Sequence, residues 1–63
     1  MQCIEKSAFR KGEYVGYGGG QVWRIIRGDQ WRAVPKTIPT PMLYADTLRE
    51  MDALLIKQPN PYA

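Results

Sequence analysis

Arg24, Arg27, Arg32 and Lys36 recur at short intervals in a stretch that also holds Tyr14, Tyr17, Trp23 and Trp31. Guanidinium and ammonium groups hold carboxylates and phosphates through charge-assisted hydrogen bonds. Tryptophan, tyrosine and arginine dominate the energetics of binding hot spots. The chemistry open to this set is recognition, and Arg24, Arg27, Arg32 and Lys36 are the candidate partner-binding residues. Tyr14 joins them if the strand register turns it to the same face.

Catalytic constellations are nearly absent from the sequence. There is no histidine, the commonest general base, and without His a zinc site cannot be assembled from the usual His and Cys ligands. Cys3 is the one cysteine, so no internal disulfide forms, and neither an activating base nor a helix N-terminus is in view beside it. Asp46, Glu50 and Asp52 cluster where a helix should begin, which suits the positive end of its dipole. Gly16, Gly18, Gly19 and Gly20 invite a phosphate-loop reading. They lead instead into Val22-Trp23-Arg24-Ile25-Ile26, which reads as a strand, whereas a phosphate loop opens onto a helix. The expectation is a protein that is not an enzyme and carries no cofactor and no metal.

The elements that would position the cations form an α+β domain of order β-β-β-α, a three-stranded antiparallel meander packed against one C-terminal helix. Tyr14-Val15-Gly16-Tyr17 is the first strand by its aromatic and β-branched content. Gly18-Gly19-Gly20 turns the chain, since glycine accepts positive φ. Alternation along Gln21–Arg27 puts Trp23 and Ile25 on one face and Val22, Arg24 and Ile26 on the other. After the Gly28-Asp29 turn, Trp31 and Ala33 share one face of the third strand, and Gln30, Arg32 and Val34 share the other. Burying the tryptophans leaves Arg24 and Arg32 outward, whereas the opposite choice buries two unpaired arginines. Thr47 and Glu50 form a capping-box pattern, and Leu48, Met51, Leu54 and Leu55 fall on one helical stripe, with Arg49, Glu50, Asp52 and Lys57 off it. The whole chain, 1–63, reads as a single domain. Residues 1–11 are either an arm or a short strand, 12–35 the meander, 36–45 a linker, 46–58 the helix and 59–63 a tail. Met42-Leu43-Tyr44-Ala45 is either a fourth strand or a segment under the helix.

With 63 residues and 44% hydrophobic content, the chain can build one small core. The net charge of +3 is unevenly spread. Residues 1–36 hold seven Lys and Arg against three Asp and Glu, while residues 37–63 hold two against three. A basic sheet half favours an anionic partner, either DNA or an acidic protein surface. No apolar run is long enough to span a bilayer, and the first residues lack a secretory-signal pattern. A cytoplasmic protein without a membrane partner is expected. An edge strand and a thin core also make a homodimer an expected state.

The β-β-β-α order, with Arg24 and Arg32 on strands and the Trp31-Arg32-Ala33 element, is similar to AP2-type and integrase amino-terminal DNA-binding domains. In those families a three-stranded sheet enters the major groove and a helix braces its back. The resemblance implies that Arg24, Arg32 and Arg27 touch phosphates or bases, although the first strand here lacks the families' arginines. Lys11 to Val34 is also similar to an SH3-like small barrel, against which the C-terminal helix argues. The chain as a whole resembles the short orphan proteins of temperate phages and mobile elements. That likeness implies a non-enzymatic protein that occupies a surface of a larger host protein or protein–nucleic-acid complex, as anti-CRISPR and other anti-defence inhibitors do. A DNA-binding accessory protein using the basic sheet face is the alternative.

Overall fold

Alternation along the most regular stretch sets the fold. The computed structural model describes residues 2–36 and 40–59. They form β1 (Ile4–Lys6), β2 (Tyr14–Gly18), β3 (Gln21–Arg27), β4 (Trp31–Pro35), β5 (Leu43–Ala45) and α1 (Leu48–Ile56). Each strand pairs antiparallel with its neighbour in sequence, in the order β1-β2-β3-β4-β5.

The expected three-stranded meander is therefore corrected to five strands. The central three lie where expected, but with shifted ends: β2 takes in Gly18, and β4 omits Gln30 and takes in Pro35, the proline expected to end it, opposite Trp23. Strands β1 and β5 extend the sheet at its two edges. Both edge strands are three residues long, too short for alternation to register. Tertiary contacts hold them in place. Ile4 pairs with Gly16, Lys6 with Tyr14, Leu43 with Ala33 and Ala45 with Trp31. Part of the expected linker is thus strand. The linker residues 37–39 and the tail residues 60–63 lie outside the described residues.

The β2–β3 turn is tighter than expected, with Gly19 and Gly20 alone between paired Gly18 and Gln21. Their φ values of 62° and 76° suit the two-residue turn whose twist matches a hairpin.

One face of the sheet is covered by α1. The core comprises Ile4, Trp23, Ile25, Ala33, Ala45, Met51 and Leu55. Trp23, Ile25, Met51 and Leu55 are its largest fully buried side chains, each contributing roughly 1.5–3 kcal/mol by removal from water. The Trp23 indole N–H is satisfied by donating to the Gly18 carbonyl at 2.8 Å. Thr47 caps the helix as its sequence predicts: its backbone is extended and its hydroxyl accepts the Glu50 N–H at 3.1 Å. Gly16 and Gly18 let the helix approach, because side chains there would meet Leu55.

Asp52 departs from expectation. It was placed off the apolar stripe, yet it is buried. Its carboxylate accepts the Cys3 N–H at 2.7 Å and the Gln2 N–H at 3.4 Å. The Cys3 carbonyl in turn accepts the Tyr17 N–H at 2.8 Å. This clasp fixes the start of β1 against both the helix and β2.

Candidate recognition surfaces

Strand parity divides the candidate cations between the two faces of the sheet. Arg24 and Arg32 point away from the helix, in phase with Val22, Ile26 and Val34. Lys36 follows β4 in the same phase and borders a depression of about 250 Å³ with Val15, Val22 and Arg24, flanked by Phe9 and Arg10 of the β1–β2 loop. Arg27 and Tyr14, in phase with Trp23 and Ile25, lie on the helix side. The expected single cationic face is thus corrected to three residues on the outer face and two on the inner. For Arg27 the signal was present: its odd number matches Trp23 and Ile25.

Among the described residues no helix packs on the outer face. Cross-strand rows place Glu5, Val15, Arg24 and Val34 side by side, then Tyr17 beside Val22, and Ile26 beside Arg32 and Tyr44. The valines and Ile26 are half-buried, and Tyr17 and Tyr44 are 45% and 51% exposed. Phe9 is 95% exposed.

Arg24 is not a free cation. Its Nε and Nη2 donate to the two Glu13 carboxylate oxygens at 2.7 and 2.9 Å, a bidentate fork. The Arg24 hydrogen bond holds the Glu13 carboxyl below its ordinary range, with the charges of Arg24 and Arg10 adding to it. The same contact pushes the Arg24 guanidinium up. Tyr17 donates its hydroxyl proton to Glu5 at 2.7 Å, and that bond, with some burial and the Glu5 charge, raises the phenol above its usual range. Arg32 and Lys36 carry no ion pair among the described residues. The outer face is therefore an aliphatic and tyrosine centre with two unpaired cations, rather than a uniformly basic surface.

On the inner face the helix leaves one corner open. Helix α1 packs on β5, β4 and β2, with Leu55 over Gly16 and Gly18. The corner bearing Lys6, Tyr14, Arg27 and Trp31 borders a cleft of about 510 Å³. The Arg27 guanidinium sits 5.7 Å from the Trp31 ring centre, and the Tyr14 and Trp31 rings meet edge to face at 5.5 Å and 78°. Lys6 and Lys11, which also line this cleft, were not among the candidate residues. The period-two relation of Lys6 to Ile4 was the signal for the first. Lys11 lies in a turn, where no sequence period applies.

Cys3 is half-buried and free. Burial, reinforced by the Asp52 charge, pushes its thiol up, away from the thiolate a nucleophile needs. Among the described residues no cluster of His, Cys, Asp and Glu could hold a metal ion. None of the described helices is long and apolar enough to cross a membrane.

Comparison with family models, with curated proteins and with solved structures finds no match to this chain.

Proposed function

We propose that this chain is a non-enzymatic binding protein that docks through the outer face of its sheet onto a larger protein and acts by stoichiometric occupation of that surface. The observation that carries the reading is a five-stranded sheet with one face under a helix and the other without a covering helix among the described residues. A sheet's two faces differ because one packs on the core and the other meets solvent. An outer face made only for solvent would be polar at alternate positions, whereas here Val15, Val22, Ile26 and Val34 stand between two exposed tyrosines. Such a patch is the desolvated centre of an interface. Arg32, between Ile26 and Tyr44, and Lys36 beyond the end of β4 add positive charge that suits acidic groups on the partner.

DNA would use this face less well. Glu13 offsets the charge of Arg24, Glu5 shares the surface, and the aliphatic centre offers nothing to a phosphate backbone.

The test is affinity capture from cells that contain the partner, comparing the native chain with Ile26→Glu and Val34→Glu. Both side chains lie on the uncovered face, so circular dichroism should report an unchanged fold. A protein partner held at fixed stoichiometry and lost with either variant is the expected result. Equal capture by the variants, or material released entirely by nuclease, overturns the reading. A dimer dissolved by the same substitutions would assign the face to self-association instead.

A further inference from the structure

The open corner of the inner face gathers cations beside an aromatic pair. Three cations border one cleft: Lys6 from β1, Lys11 from the β1–β2 turn and Arg27 from the end of β3. Each is exposed, and none has an ion pair among the described residues. Like charges gathered without a counter-charge repel one another, and an anion placed among them relieves that repulsion.

The surroundings keep carboxylates out of the cleft. Glu13 contributes to its wall, but both its carboxylate oxygens are held by Arg24 on the opposite side of the sheet. Asp29 and Asp46 border a separate, smaller depression of about 110 Å³, reached past Arg27 and Trp31. Asp46 accepts a hydrogen bond from the Gln30 side chain there.

The cleft is also built. Ser7 N–H donates to the Glu13 carbonyl at 3.1 Å and Glu13 N–H to the Arg10 carbonyl at 3.2 Å. The Ser7 hydroxyl oxygen accepts the Phe9 and Arg10 N–H groups at 3.2 and 3.1 Å. These bonds fix the turn that carries Lys11, and they leave the Ser7 hydroxyl proton free to donate. The Trp31 ring holds the Arg27 guanidinium in place, which lowers the ordering cost of using its fork. Tyr14 braces the Trp31 ring from its edge.

We propose that this corner binds the phosphate group of a phosphorylated small molecule, with Lys6, Lys11 and Arg27 as its cationic ligands and the Ser7 hydroxyl as a further donor. The cleft's volume exceeds that of a bare phosphate ion, so the group that carries the phosphate lies along the Tyr14 and Trp31 wall. The site is on the opposite face from the proposed protein-docking surface and does not depend on it.

Tryptophan fluorescence reports the event selectively, because Trp23 is fully buried while Trp31 is half-buried beside the cleft. Inorganic phosphate, pyrophosphate, ribose 5-phosphate and adenosine monophosphate are titrated into the native chain at low and at physiological salt. A saturable change is expected, tighter for the organic phosphates than for the free ion, weakening as salt rises, and absent in Trp31→Phe. Calorimetry on Trp31→Phe should still detect heat of binding. Arg27→Ala and Lys11→Gln should each weaken binding by about tenfold or more, the usual worth of one charge-assisted hydrogen bond. Arg49→Ala, an exposed helix cation outside the cleft, should leave binding unchanged. The proposal is overturned by no saturation at millimolar ligand in low salt, by equal loss on Arg49→Ala, or by binding that survives the combined Lys6, Lys11 and Arg27 substitutions. Tighter binding of the free ions than of the organic phosphates would equally refute it.

Discussion

Replacing Gly18 with alanine puts the closeness of sheet and helix to a direct test. A methyl group at Gly18 would lie 2.6 Å from the Leu55 carbonyl oxygen and 3.2 Å from its Cα, whereas ordinary contact begins near 3.4 Å. The obstacle is backbone, so no side-chain rotation relieves it. The last turn of α1 must retreat, and Leu55 is fully buried. Overpacking of this kind costs about 1–3 kcal/mol. Alanine recovers roughly 0.5–1 kcal/mol of the entropic cost of a strand glycine. Because the obstacle is backbone, the upper half of that range applies, and the net expectation is a loss of about 1–2.5 kcal/mol, which for a domain of this size lowers Tm by about 4–20 °C. Thermal and urea unfolding followed by circular dichroism measures it. Gly28→Ala is the control, since the nearest atom to a methyl there is 3.6 Å away, and it should stay within about 0.5 kcal/mol of the native chain. A Gly18→Ala protein as stable as the native one would refute the reasoning, because the helix would then not rest on the strand backbone as described.

Two further outcomes follow from the hydrogen bonds. Asp52→Ala removes the acceptor of the part-buried Cys3 N–H and should cost about 1 kcal/mol; Asp52→Asn, which keeps an acceptor, should cost less, and hydrogen exchange at Cys3 should rise in step with the loss. The Glu13 carboxyl is lower in the folded chain than in the unfolded one, so its contribution to stability is present above the ordinary glutamate range and disappears as pH falls through the depressed value. Glu13→Gln should therefore be less stable than the native chain above the ordinary glutamate range and converge with it at low pH, so that the acid side of its stability–pH profile is flatter, which urea midpoints at a series of pH values would show.

The sequence made the centre of the fold legible and its margins obscure, for physical reasons. Strands β3 and β4 alternate over seven and five residues, long enough for burial to leave a period. Thr47 and the leucine stripe define the helix through local chemistry. By contrast, β1 and β5 owe their conformation to the strands they join. Asp52 reads as a solvent residue by type, and only the arrival of the Cys3 N–H from the far end of the chain makes it a buried one. At the binding surfaces, Arg24 and Arg32 were correctly placed outward, but the partner of Arg24 depends on a diagonal contact between β2 and β3 that no single strand records. Lys6 reaches the cleft from the end of β1, whose pairing with β2 no local period records, and Lys11 through the turn preceding β2, whose shape arises from Ser7 and its backbone bonds.

Because every strand lies beside its neighbour in sequence, the sheet can grow outward from the Gly19–Gly20 hairpin with only short loop closures, an arrangement associated with rapid folding. The exceptions are the seat of Leu55 over Gly16 and Gly18 and, longer still, the contact that Asp52 makes with residues 49 and 50 positions earlier. That contact closes a ring through nearly the whole polypeptide, so a chain caught before Asp52 arrives would carry a paired middle while its first strand and its helix remained loose together.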